Sequence, residues 1–298
     1  MSDIIETSYP DNNQEPQCLI TIPHSSRGGN MFDRFPQIKD AFKGREGLFQ
    51  AYLNLEHDVG AQALAHNVGQ RLEKDHGIST RVLFSHNMHH GIVDPNRIPG
   101  QAIRPALHYE RYPGLRESLE LTHQELIAEI RAALQRIPNL SRVVAIDLHT
   151  MAPYTPGVNP SSPTEAATLT PDGIEAYIQA FTSREFRGAR RPIDILTTVS
   201  GQPQVGDPIL AAALKNSLEQ GGFRAEYNNP YPLSPVLMST EIARQTRGLA
   251  LDIPKDLVTQ TGPDDEVDLT NAVNDNQKID RLAVLIAAAI AETVRGSL

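Results

Sequence analysis

A single cysteine, Cys18, stands in 298 residues. This excludes any internal disulfide and any zinc site built only from thiolates. A reducing compartment fits such usage, so a cytoplasmic location is expected. Basic residues are also short, with 27 Lys and Arg against 36 Asp and Glu and a formal net charge of -9. Nucleic acid needs a basic face, so no nucleic-acid partner is expected, whereas a small anionic substrate would need only a few well-placed Arg or Lys. Long hydrophobic runs are missing too. The longest, "LAVLIAAAIA" from Leu282 to Ala291, is far short of the ~20 residues of a membrane span. It reads as a buried C-terminal helix, and no membrane partner is expected. Residues 1–17 have neither the basic start nor the apolar middle of a secretory signal, and read as a flexible lead-in. Repeats, low-complexity tracts and a convincing linker are absent, so residues 18–298 read as one domain. The sequence leaves the oligomeric state open.

What is present alternates. Strand-like runs begin at Cys18, Thr80, Arg142, Ile193, Ala225 and Arg247, several of them continuously apolar, as strands buried on both faces are. Between them, Asp58–Lys74, Arg116–Gln135 and Ile209–Gln220 carry apolar residues at helical spacing. The pattern predicts an α/β fold with a mixed, mostly parallel central sheet and helices on both faces. Two long loops, after His89 and after His149, exceed ordinary connections and are expected to be functional. The polar, acidic "TGPDDEVDLTNAVNDNQ" reads as a solvated surface loop.

Several segments bring chemistry to strand ends, where open α/β sheets bind ligands. "ITIPHSS" places His24 just past a strand, either as a metal ligand or as a capped loop histidine; Ser25 and Ser26 lack the glycines of a nucleophile elbow. "LNLEHDVGA" gathers Glu56, His57 and Asp58 before a helix. Asp58 suits an N-cap, yet three potential ligands exceed what capping requires. In "VVAIDLHT" the strand period puts Asp147 and His149 on one side, where the carboxylate could orient a ligating imidazole. Two His and one carboxylate with an open position is a recurrent catalytic zinc arrangement. "GIVDPNRIPG" supplies Asp94, Asn96 and Arg97. Turn formation explains the first two, while Arg97 suits bidentate capture of a carboxylate. A base for a metal-bound water is either Asp252, ending a late strand, or Glu241. His89 and His90 read as loop-exposed, with carbonyl polarisation the alternative.

In order along the chain, "IPHSS", "EHDVGA", "VDPNR", "IDLHT" and "LALDIP" resemble the N-formylglutamate amidohydrolase family. The resemblance implies a zinc-peptidase-like α/β fold of the phosphorylase/hydrolase-like kind, shared in outline with zinc carboxypeptidases and the aspartoacylase group. It also implies hydrolysis of N-formyl-L-glutamate to formate and glutamate with Zn2+ or another divalent metal. Matched residue by residue, His24, Asp58 and His149 become ligands, with Glu56 the rival acid. Asp147 becomes the orienting carboxylate, and Asn96 and Arg97 hold the substrate carboxylate. Two departures stand out: Asp252 replaces the family's Glu, and "PLSPVLMSTEIARQ" replaces its Gly-Gly and Arg-His elements. Arg104, Arg244 and Arg247 are the candidates to replace the missing side-chain recognition. Alternatives are another N-acyl or γ-glutamyl substrate, or a non-catalytic protein that binds a carboxylate ligand.

Overall fold

The computed structural model describes residues 4–10, 14–157, 165–200, 202, 204–262 and 266–296. Its strands are β1 (Ile4–Tyr9), β2 (Cys18–Ile22), β3 (Thr80–Ser85), β4 (Val144–Met151), β5 (Tyr154–Pro156), β6 (Arg187–Arg190), β7 (Ile193–Leu196), β8 (Ala225–Tyr227) and β9 (Arg247–Pro254). Helices are α1 (Gly29–Arg34), α2 (Pro36–Ala41), α3 (Glu46–Glu56), α4 (Ala61–His76), α5 (Leu115–Gln135), α6 (Ile174–Thr182), α7 (Pro208–Gln220), α8 (Met238–Gln245) and α9 (Asn276–Arg295). Seven strands form one sheet in the order β1-β3-β2-β4-β9-β7-β8, while β5 and β6 pair separately. Four of the six neighbouring pairs are parallel; β1 on β3 and β7 on β9 are antiparallel. The expected mixed, mostly parallel α/β sheet is therefore what forms. Where a frayed lead-in was expected, Ile4–Tyr9 instead pairs along the whole of β3, because an edge strand needs backbone partners more than a strongly apolar sequence.

Strand alternation sorts the side chains onto two faces. Cys18, Ile20 and Ile22 of β2, Val144, Ile146 and Leu148 of β4, and Leu249, Leu251 and Ile253 of β9 share one core with α4, α7 and α9. In α9, Ile279, Leu282, Ile286 and Ile290 are buried at helical spacing, each contributing roughly 1.5–3 kcal/mol by leaving water. Leu19, Leu83 and Ala145 face the other way, into a second core with α3, α5 and α6. Asp147, His149 and Asp252 belong to this second face by the same two-residue period. Register places His149 opposite Asp252 on the parallel neighbours β4 and β9. Among the described residues, no helix is long and apolar enough to cross a membrane.

Segment 57–60 between α3 and α4 carries Asp58 to these strand ends. Helix α4 starts later than the sequence suggests, with Gly60 rather than Asp58 as its cap. Gly60 has φ 89°, and a Cβ there would come within 2.7 Å of Val258 Cγ2, so the turn admits only glycine. Asp58 is thereby released from capping, and its backbone N–H donates to the His24 carbonyl at 3.4 Å.

Candidate metal centre

Three donor atoms converge beyond the C-terminal ends of β2 and β4. His24 Nδ1 lies 3.2 Å from His149 Nδ1 and 3.4 Å from Asp58 Oδ2, and His149 Nδ1 lies 3.3 Å from the same oxygen. Ligand atoms at ~2.0–2.1 Å from a tetrahedral ion sit about 3.3 Å apart, so this triangle has the size of one face of such a site. Among the described residues, Asp58 Oδ2 is buried with no partner other than these two ring nitrogens, and a cation between the three atoms would satisfy it.

The outer nitrogens are held as ligating imidazoles usually are. His24 Nε2 meets Asp94 Oδ1 at 2.8 Å, and His149 Nε2 meets Asp147 Oδ2 at 2.8 Å. Asp147 is fixed in turn by the hydroxyls of Thr21 and Ser239. Burial opposes charge on His149, yet the Asp147 and Asp58 carboxylates outweigh it and raise its pKa well above the usual histidine value. Asp58 is held low despite its burial, chiefly by His24 and His149. Asp94 is offset by Arg97 and Arg104, so Asp58 and Asp147 supply the negative charge that a divalent cation would balance.

His24, Asp58 and His90 form another group whose donor atoms lie within 4.8 Å of one another and which could hold a metal ion. His90 stacks on His24 with centroids 4.0 Å apart at 22°, so the in-plane lone pairs of the two rings run nearly parallel. His24 and His149 meet at 65°, and their Nδ1 atoms converge. Glu56 is turned away from the triangle: it accepts from Tyr177 Oη at 2.6 Å and lies 3.1 Å from His90 Nε2. Burial raises its pKa, but His90, Tyr177 and Arg104 bring it down to about 2. Asp58 is thus the acid at the triangle.

The centre opens into a cavity of about 500 Å³. Asp252 lines it, with Oδ1 unpartnered among the described residues, and burial pushes its carboxyl up to about 7 against the pull of His149. Glu241 lies elsewhere: its two oxygens take Arg131 Nε and Nη2 at 2.9 and 2.7 Å near the surface. It is removed from the site because α8 turns it toward α5. Asn96 lines the cavity, but its Oδ1 accepts from the Ser239 amide at 2.9 Å and hydroxyl at 2.8 Å. Arg97 also lines it, with Nε on Asp94 Oδ2 at 3.1 Å.

Of the arginines considered for side-chain recognition, Arg104 is in the wall but committed to Asp94 at 2.6 Å and to the His90 carbonyl at 3.2 Å. Arg244 reaches Gln202 and Arg247 reaches Asp207, both outside the cavity. His89 and His90 are buried rather than exposed, since their loop folds under His24. Ser25 and Ser26 donate to the carbonyls of Ser85 and His86, pegging the His24 loop to the end of β3. The loop after His149 lies partly outside the described residues, at 158–164, as do 263–265 of the acidic loop.

Sequence reasoning missed Asp94 as the hub joining His24, Arg97 and Arg104, because Asp-Pro-Asn is also an ordinary turn signal. Arg191, Tyr231 and Lys255 of the cavity wall were missed as well; no local motif separates them from neighbouring Arg, Tyr and Lys.

No protein-family model matches the chain, and no curated protein matches it. Among solved structures it is similar to an N-formylglutamate amidohydrolase from Ralstonia eutropha, at 15% identity over 100% of both chains with a TM-score of 0.56. It is also similar to a gene product from Agrobacterium tumefaciens, at 13% identity over 99% of this chain and 94% of the other, with a TM-score of 0.53. At such identities the likeness is one of fold.

Proposed function

We propose that this chain is a metal-dependent hydrolase that removes the acyl group from an N-acyl amino acid, with N-formyl-L-glutamate the first candidate substrate. The observation that carries this reading is the triangle of His24 Nδ1, His149 Nδ1 and Asp58 Oδ2, with edges of 3.2 to 3.4 Å, beside a substrate-sized cavity. His24, Asp58 and His149 would hold Zn2+ or another divalent ion. Such an ion, when bound, supplies an acidified water and polarises the acyl oxygen.

The remaining steps belong to side chains of this molecule. Asp94 and Asp147 fix the two imidazoles, leaving their Nδ1 lone pairs directed at one point. Asp252, with a free oxygen and a pKa pushed up to about 7, takes a proton from water and passes it to the leaving amine; a base poised near neutrality suits both transfers. Arg97 has only its Nε on Asp94 among the described residues, leaving its terminal nitrogens for the substrate's α-carboxylate. The fold likeness to an N-formylglutamate amidohydrolase supports the choice of first substrate.

The test is elemental analysis of purified protein together with a chelator-sensitive assay on N-formylglutamate and a panel of N-acyl and γ-glutamyl amino acids. Formate or acid release that stops with chelator and returns with zinc supports the reading. Calorimetric binding of carboxylated ligands without hydrolysis of any panel member would replace it with a binding protein on the same scaffold.

A further inference from the structure

A second cavity, of about 200 Å³, lies apart from the candidate metal centre. Its wall includes Arg190 at the end of β6, Phe223 after α7, Asp256 and Leu257 after β9, and Lys278 and Arg281 in the first two turns of α9. Half of these six residues are cations. A water's share of liquid volume is about 30 Å³, so the space admits a small ion together with several waters. The turn Lys255–Leu257 contributes to both cavities, with Lys255 in the central wall and Asp256 and Leu257 in this one. No single residue lines both.

The charges of this wall do not cancel. Arg190 donates to Asp256 Oδ2, so those two balance each other. Lys278 Nζ donates only to uncharged oxygens, the Asp256 and Thr259 carbonyls at 3.0 Å each and the Thr261 hydroxyl at 3.3 Å. Arg281 Nη2 donates to the Gly221 carbonyl at 2.6 Å, and its guanidinium lies 4.8 Å over the Phe223 ring. Among the described residues, neither cation meets a carboxylate. Asp280 is turned to Arg71, and Asp275 Oδ1 accepts from the Gln277 and Lys278 amides as the cap of α9. Elsewhere Arg81, Arg131, Arg224 and Arg247 each pair with a carboxylate. In a chain of net charge -9, two cations three residues apart on one helix face without such a partner are a departure. Lys278 also stands in the first turn of α9, where the helix dipole adds to the positive field instead of offsetting it.

We propose that this cavity binds a small, doubly charged oxyanion, a phosphate group or a dicarboxylate, between Lys278 and Arg281. Two unbalanced cations match a dianion in charge. Lys278 is held by three acceptors and Arg281 by a carbonyl and a ring, so binding costs little further side-chain freedom. Phe223 and Leu257 supply an apolar part of the wall, and attraction between opposite charges strengthens where water is displaced. The site is independent of the hydrolase reading, because it shares no wall residue with the central cavity.

The experiment titrates inorganic phosphate, succinate and acetate into the full chain by calorimetry at low ionic strength, where charge is least screened. Circular dichroism serves as the folding control. Phosphate or succinate should bind one per chain, more tightly than the singly charged acetate. Arg281→Gln should weaken that binding by about 10- to 100-fold, the worth of one charged hydrogen bond, whereas Arg97→Gln, altered only in the central cavity, should leave it unchanged. Of the two dianions, the tighter one identifies the source of the charge. Binding of neither, acetate binding as tight as theirs, or binding that survives Arg281→Gln overturns the proposal. Loss in Arg97→Gln instead places the anion in the central cavity and also overturns it. Should Arg281→Gln fail to fold, Lys278→Gln carries the same comparison, with weakened binding supporting the proposal and unchanged binding overturning it.

Discussion

His24 and His149 differ from the other cavity histidine in where their second nitrogens go. Each has a carboxylate on Nε2 and shares a point near Asp58 through Nδ1, whereas His90 stacks on His24 and turns Nε2 to Glu56. Replacing either His24 or His149 by Ala should leave folded protein with little zinc by elemental analysis, while Asp147→Asn should weaken zinc affinity by about 10- to 100-fold through loss of the orienting bond. The two candidate bases separate by the same logic. Asp252→Asn should keep the metal and lose about 100-fold or more in kcat. Glu241→Gln should stay within about twofold in a steady-state assay, because it removes only an exposed pair with Arg131. At this scale the sequence made His24, Asp147 and His149 readable, since strand-end position and the two-residue period are local. Asp94 and Arg191 were unreadable, because a turn aspartate and an arginine before proline acquire meaning only from what lies opposite.

Elements position these residues by packing and by their ends. Helix α9 buries Leu282 completely against the sheet face opposite the site. Leu282→Ala should cost about 2–5 kcal/mol in urea unfolding, with zinc per folded chain unchanged. The turn after β8 is tied by Asp194, whose pKa burial raises to about 6 despite the two amides it accepts from. A folded-state value above the unfolded one means that native protein takes up a proton that the unfolded chain does not yet hold. This group therefore adds stability as pH falls from about 6 toward its unfolded value, and subtracts it when ionised at neutral pH. Wild type should gain on Asp194→Asn by on the order of 2 kcal/mol between pH 7 and pH 4, measured as the difference of their urea unfolding energies. The helices over Asp58–Lys74, Arg116–Gln135 and Ile209–Gln220 were legible from periodicity, and each lies within two or three residues of its expected ends. The short α1 and α2, of six residues each, and the edge strand β1 were not, because their stability comes from neighbours more than from pattern.

For the whole molecule, the proposed site, assembled from the loop after β2, the α3–α4 turn and β4, would link metal binding to folding, since the unfolded chain holds these residues apart. Zinc at about 100 times its dissociation constant should stabilise the protein by about 2.7 kcal/mol. For a chain of this size that corresponds to a rise of roughly 4 °C in Tm by scanning calorimetry. Chelator should reverse the rise, and His149→Ala should not show it.

The six strand runs from Cys18 onward, the long amphipathic helices, the absence of a disulfide, and the placing of His24, His149 and Asp252 at strand ends followed from sequence alone, because periodicity and chain punctuation are local properties. Tertiary structure decided the rest. It set Glu56 against Tyr177 and His90 and left Asp58 Oδ2 within 3.4 Å of the His24 and His149 rings, and it turned Glu241 to Arg131 while Asp252 lines the cavity. Each of these outcomes depends on which buried charge finds which partner across the sheet, and that pairing is set by distances between segments far apart in the chain.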